Sequence, residues 1–89
     1  MVRIKITPEQ VRQVAAQFAQ SASQSEEMVA RLTNAINSMQ PDWEGMTSQR
    51  FYNDFQHWSA QMKQFIELLR GISTQLDQIA DRFAAADQQ

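Results

Sequence analysis

Two apolar stripes with unbroken four-three spacing leave this chain few folds to adopt. In the first, Val11, Ala15, Phe18, Ala22, Ser25, Val29, Leu32, Ile36 and Met39 follow one another at alternating steps of four and three. Ser25 is its only polar member. In the second, Phe51, Phe55, Trp58, Met62, Phe65, Leu69, Ile72, Leu76, Ile79, Phe83 and Ala86 keep the same alternation. Residues recurring every 3.5 positions stay on one side of an α-helix, whereas strands repeat every second residue. Each stripe is therefore a helix with one side to bury. The pattern stops between them, at Pro41-Asp42-Trp43-Glu44-Gly45. Proline lacks an amide donor and glycine accepts backbone angles other residues refuse, so the chain turns there.

The ends of the helices are also written locally. Thr7-Pro8-Glu9-Gln10 reads as a start: Thr7 caps, Pro8 suits the first helical position, and Gln10 completes a capping box. The expected first helix runs from about 8 to 40. The turn covers 41–46. Thr47 or Ser48 caps a second helix from about 48 to 85, with Gly71 as its internal weak point. The tail Asp87-Gln88-Gln89 is expected to fray.

Folding the chain at Gly45 lays one stripe on the other. Met39 then meets Phe51, Ile36 meets Phe55, Leu32 meets Trp58, Ser25 meets Phe65, Phe18 meets Ile72 and Val11 meets Ile79. Small residues of the first helix face large ones of the second, as close packing requires. Ile4 and Pro8 are placed to cover Phe83 and Ala86. The expectation is an all-α antiparallel two-helix hairpin forming a single domain over residues 1–89. A lone hairpin leaves much of each large side chain wet. Flanking apolar residues (Val14, Met28 and Ala35; Tyr52, Ile66, Leu68 and Ala80) widen the sticky side and suit a four-helix bundle, most simply a C2 homodimer. They fall on both sides of the hairpin, so the pattern leaves the dimer face open.

Composition excludes more than it assigns. The 89 residues carry a net charge of -2, no cysteine and one histidine, His57. No Lys/Arg cluster is present of the kind nucleic-acid binding needs. No apolar run approaches the roughly 20 residues that span a bilayer. Residues 1–7 have no apolar segment of a cleavable secretory signal. Serines such as Ser48 and Ser59 have no histidine to activate them. A narrow hairpin offers little room for a concave pocket, so no catalysis, metal, cofactor or small-molecule substrate is expected.

Trp43-Glu44-Gly45, a Trp-x-Gly tripeptide at the turn of a hairpin of this length, resembles the WXG family of small ESAT-like proteins. Phe51 and Trp58 sit where that family often carries aromatics. The lead Ile4-Lys5-Ile6-Thr7-Pro8-Glu9 is similar to members from Gram-positive bacilli. The resemblance implies export as a folded dimer by the type VII (ESX) secretion system, without a cleavable signal peptide. It implies recognition by a membrane-bound FtsK/SpoIIIE-type ATPase. The family's signal pairs the Trp-x-Gly turn of one subunit with a C-terminal Tyr-x-x-x-Asp/Glu of its partner. Here Phe83-Ala84-Ala85-Ala86-Asp87 keeps the aromatic ring and the carboxylate but lacks the phenol hydroxyl.

The candidate recognition residues are thus Trp43, Gly45, Phe83 and Asp87. Trp43 reads either as a hydrophobic plug or as a plug that also meets a partner. Gly45 reads as a backbone requirement, and Phe83 either as recognition or as packing. The partner is a second copy or a paralogue. Two other function classes fit the same pattern: an adaptor or chaperone-like module that stays inside the cell, and a membrane-active helical protein. The weakly charged, glutamine-rich outer faces argue against the last, because interfacial helices carry a basic polar face.

Overall fold

A computed structural model gives the chain as one antiparallel helical hairpin, 67 Å long and about 20 Å across. It describes residues 6–43 and 45–87, and the side chains of all of these except Met46, Thr47 and Asp87. The expected roles of Ile4 as a cover, of the Asp87 carboxylate and of the last two residues, and the middle residue of the tripeptide, Glu44, lie outside the described part.

Helix α1 spans Pro8–Met39. The capping box forms as expected: the Gln10 amide donates to Thr7 Oγ1 at 3.2 Å, and the Thr7 amide donates to Gln10 Oε1 at 2.8 Å. A single 3-10 turn, Gln40–Asp42, tightens the helix end over Pro41. Helix α2 then runs Met46–Asp87. It begins two residues before the expected start and ends two after the expected end. The early start has a physical cause. Gly45 adopts φ +124°, a conformation L side chains rarely reach. Its carbonyl is thereby set as the first acceptor of α2, taking the Gln49 amide at 3.2 Å. Ser48 is consequently not a cap. Its hydroxyl donates to that same Gly45 carbonyl at 2.7 Å from inside the first turn.

The antiparallel register agrees with expectation to within one helical turn. Tyr52 reaches the Ile36 carbonyl, Ser73 reaches the Ala15 carbonyl, and Arg12 pairs with Asp81. The rotation of α2 does not agree. Its row of residues against α1 is Ser48, Tyr52, Phe55, Ser59, Met62, Ile66, Leu69, Ser73, Leu76, Ala80 and Phe83, all buried or half-buried. Of the expected stripe from Phe51 to Phe83, half is shared: Phe55, Met62, Leu69, Leu76 and Phe83. The other half is rotated outward. Phe51, Phe65 and Ile79 are exposed; Trp58 and Ile72 are half-buried, as the five shared residues are. On α1 the stripe holds from Val11 to Val29. Leu32 and Met39 are then exposed, and Thr33 takes the inward place with its hydroxyl donating to the Val29 carbonyl.

Close approach explains the rotation. The most buried residues are Ala22 and Ala80 at 0% exposure and Ala15 at 1%. Small side chains let two backbones come near each other. There Ser73 closes a buried hydrogen bond of 2.8 Å to the Ala15 carbonyl. Large residues at those positions would hold the helices apart. The pattern's bulkiest members are therefore displaced to one flank.

Gly71 sits on the exposed outer side of α2, and a Cβ there would meet nothing within 4 Å. Packing does not require it. Gly71→Ala is expected to stabilise the hairpin by up to about 1 kcal/mol through helix propensity alone, read as a raised thermal midpoint with unchanged association.

Candidate functional site

The two flanks of the hairpin differ in kind. One flank carries the charges. Arg12 Nη2 donates to Asp81 Oδ1 at 2.8 Å, Arg70 pairs with Glu26, and Lys63 lies one to two turns beyond Arg70 toward the hairpin turn. These pairs are largely solvent-exposed, worth at most about 1 kcal/mol each, and orient the helices more than they stabilise them. Among the described residues, the rows that form the opposite flank carry none. Its α1 rows are Val14, Ser21, Met28 and Ala35, and Phe18, Ser25, Leu32 and Met39. Its α2 row is Phe51, Trp58, Phe65, Ile72 and Ile79. That uncharged flank holds most of the large hydrophobic side chains left exposed.

An aromatic chain links this flank to the turn. The Trp43 ring lies 5.3 Å from Phe51 and 6.0 Å from Tyr52, tilted against both. Phe51 stacks on Phe55 at 6.4 Å, and Phe55 meets Trp58 at 5.4 Å. Such offsets are the favoured arrangement for aromatic quadrupoles. Trp43 is thus held over the first turns of α2 and is half-buried. Tyr52 anchors the cluster to α1 through a long hydrogen bond, 3.4 Å, to the Ile36 carbonyl. Gly45 acts through its backbone, and a Cβ there would meet nothing within 4 Å.

Phe83 lies at the other end of the molecule. It is half-buried in the row of α2 that faces α1. Between the start of α2 and Phe83 the helix rises roughly 55 Å at 1.5 Å per residue. The structure therefore brings Trp43 and Gly45 together and keeps them far from Phe83 and the backbone of Asp87. No site within one protomer contains both halves of the expected signal.

Two shallow depressions of about 430 Å³ each, open to solvent, lie between the helices. One, on the charged flank near the turn, is lined by Val29, Ile36, Tyr52, Phe55 and Lys63 among others. The second, on the uncharged flank at mid-length, is bounded by Ser21, Gln24, Ser25, Met28, Phe65 and Leu69. Among the described residues no group of three or more His, Cys, Asp or Glu comes together, and no helix is long and apolar enough to cross a membrane. Sequence reasoning passed over Tyr52 as a partner of Trp43, and Ser59, Ser73 and Ala80 as interface residues. The signal was present. A second series, Tyr52, Ser59, Ile66, Ser73 and Ala80, is as regular as the chosen one, but less apolar.

Comparison with known proteins follows the same geometry. Residues 3–88 match the profile of the family described as proteins of 100 residues with WXG. The chain is 34% identical over 89 residues to the type VII secretion system extracellular protein A of Staphylococcus aureus, covering all of this chain and 92% of that protein. Among solved structures it is similar to the secreted protein EsxB of Bacillus anthracis (39% identity, TM-score 0.88, 98% of this chain and 99% of that one). It is also similar to EsxA of Geobacillus thermodenitrificans (31% identity, TM-score 0.87, 97% and 94% covered).

Proposed function

The chain belongs to this WXG family of 100-residue proteins, and from that membership we propose that it is a type VII (ESX) secretion substrate exported as a folded homodimer. An FtsK/SpoIIIE-type ATPase recognises it through the Trp-x-Gly turn of one protomer and the C-terminal helix of the other. The names of its relatives, an extracellular type VII protein and a secreted protein, support export. The observation that carries the recognition step is Trp43, held half-open by Phe51 and Tyr52 instead of being sunk between the helices. An aromatic ring preorganised at a helix start is a suitable anchor for a partner groove.

The dimer uses the uncharged flank. Its exposed Phe51, Phe65, Leu32 and Val14 need cover, whereas the ion pairs of the other flank are content in water. The antiparallel arrangement is favoured by taper. The turn end carries Phe51, Trp58 and Met39; the end near the termini carries Val14, Phe18, Ile72 and Ile79, one aromatic ring against the turn end's two. Large against small fills a four-helix core evenly. The same arrangement sets each Trp43 beside the partner's C-terminal helix, which resolves the roughly 55 Å separation within one chain.

Removing Phe83–Gln89 tests this reading. The truncated protein is expected to stay in the cell fraction while the full-length chain appears in the medium. The purified truncated protein should remain helical and dimeric. Undiminished export of the truncated chain would contradict the role of the C-terminal helix. Retention of the full-length chain inside the cell would favour an intracellular adaptor.

A further inference from the structure

The uncharged flank has a raised point and a hollow at the same height. Phe65 is 47% exposed, although its neighbour Ile66 is 4% exposed. With Leu69 it forms one wall of a shallow, open depression whose other wall is Ser21, Gln24, Ser25 and Met28. No charged side chain lines that hollow, and two of its lining residues are serines, so space is left for an aromatic ring. The height is the informative part. Phe65 stands midway between Trp43 and Asp87 on α2, and Ser25 stands midway between Thr7 and Trp43 on α1. In an antiparallel C2 dimer that overlaps along its whole length, the symmetry axis crosses the midpoint. Only there does a residue meet the level of its own copy. Elsewhere residue i meets a different residue j.

We propose that Phe65 and this hollow form a self-complementary lock at the two-fold axis. Phe65 of one protomer enters the hollow walled by Ser21 and Ser25 of the partner subunit, and the partner's Phe65 does the same in return. The proposal rests on the dimer reading above and says which partner that dimer selects: a second copy of this chain. A paralogue pairs as well only if it has both an aromatic ring and a hollow at that height. The other depression does not serve this purpose. It lies toward the turn, with Lys63 at its rim. A two-fold axis placed there would leave the halves bearing the termini uncovered.

Filling the hollow and removing the ring, separately and together, decides the matter by sedimentation across a concentration series. Phe65→Ala deletes the ring. Ser21→Phe fills the hollow from an exposed position, where the hairpin itself is undisturbed. Each variant is expected to weaken self-association about tenfold or more, because truncating or blocking a central aromatic anchor is counted twice in a symmetric dimer. The double variant, with ring deleted and hollow filled, is expected to recover to within roughly threefold of the parent, since contacting sites are not additive. Circular dichroism should give the same helix content for all. A dimeric parent whose single variants associate normally would overturn the lock and leave the dimer reading intact. So would a double variant weakened by the sum of both changes. A parent that stays monomeric throughout would overturn the dimer reading itself.

Discussion

Trp43→Ala is expected to remove the protein from the medium, lowering export at least tenfold, while the purified variant remains a helical dimer. The ring's contacts within the chain are two tilted aromatic pairs, with Phe51 and Tyr52. Such pairs contribute about 0.5–1.5 kcal/mol each beyond area burial. They join the turn to the first turns of α2, far from the tight Ala15, Ala22 and Ala80 contacts that hold the helices. Folding therefore survives the change, and an export defect reports the lost partner contact. Trp43→Phe separates the two roles. It keeps a ring for Phe51 and Tyr52 to pack against, so its thermal midpoint should stay near the parent's. If export nevertheless falls, the indole is being recognised. If export tracks stability across both variants, Trp43 is only a plug.

The second large effect concerns two adjacent residues with opposite consequences. Ile66 is 4% exposed and packs between the helices; Phe65 is 47% exposed on the flank. Ile66→Ala is expected to cost about 2–4 kcal/mol of hairpin stability, from lost burial plus the cavity left behind. For a hairpin with so few fully buried residues, that is a large part of the total. Its thermal midpoint should fall at every protein concentration. Phe65→Ala should lower the midpoint mainly by mass action, with a loss that depends on protein concentration. Equal, concentration-independent losses for both would mean that α2 is rotated as the apolar stripe alone suggested.

That contrast marks how far the sequence could be read. Features decided by neighbours in the chain were legible. The Thr7–Gln10 capping box, the end of α1 before Pro41 and the reversal at Gly45 all depend on a few adjacent residues. The antiparallel register was legible to one helical turn, because chain length and turn position confine it. The rotation of α2 was not. Choosing the most apolar stripe assumes that one core uses all the large residues. In this hairpin the helices approach over Ala15, Ala22, Ser73 and Ala80, and Phe51, Phe65 and Ile79 are left for another surface. A helix with two interfaces spreads its hydrophobicity over a wide face, and periodicity alone does not say which part each interface takes. Ser48 was misread for a related reason. As a candidate cap it looked like an acceptor, yet it donates to the Gly45 carbonyl, because Gly45 lets the helix begin earlier. Of the candidate site, the turn was legible as a location. The packing of Trp43 on Tyr52 needed the structure.

The most direct test of the central claim is export in trans. One protomer carries Trp43→Ala, and the other lacks Phe83–Gln89; the two are made together and distinguished by mass. In an antiparallel dimer, each signal joins one protomer's turn to its partner's C-terminal helix. The mixed dimer then has one site with both halves damaged and one site wholly intact. Both chains are expected in the medium when made together, and neither when made alone. If the two chains form mixed dimers but remain in the cell fraction, the signal is not assembled across protomers in this way.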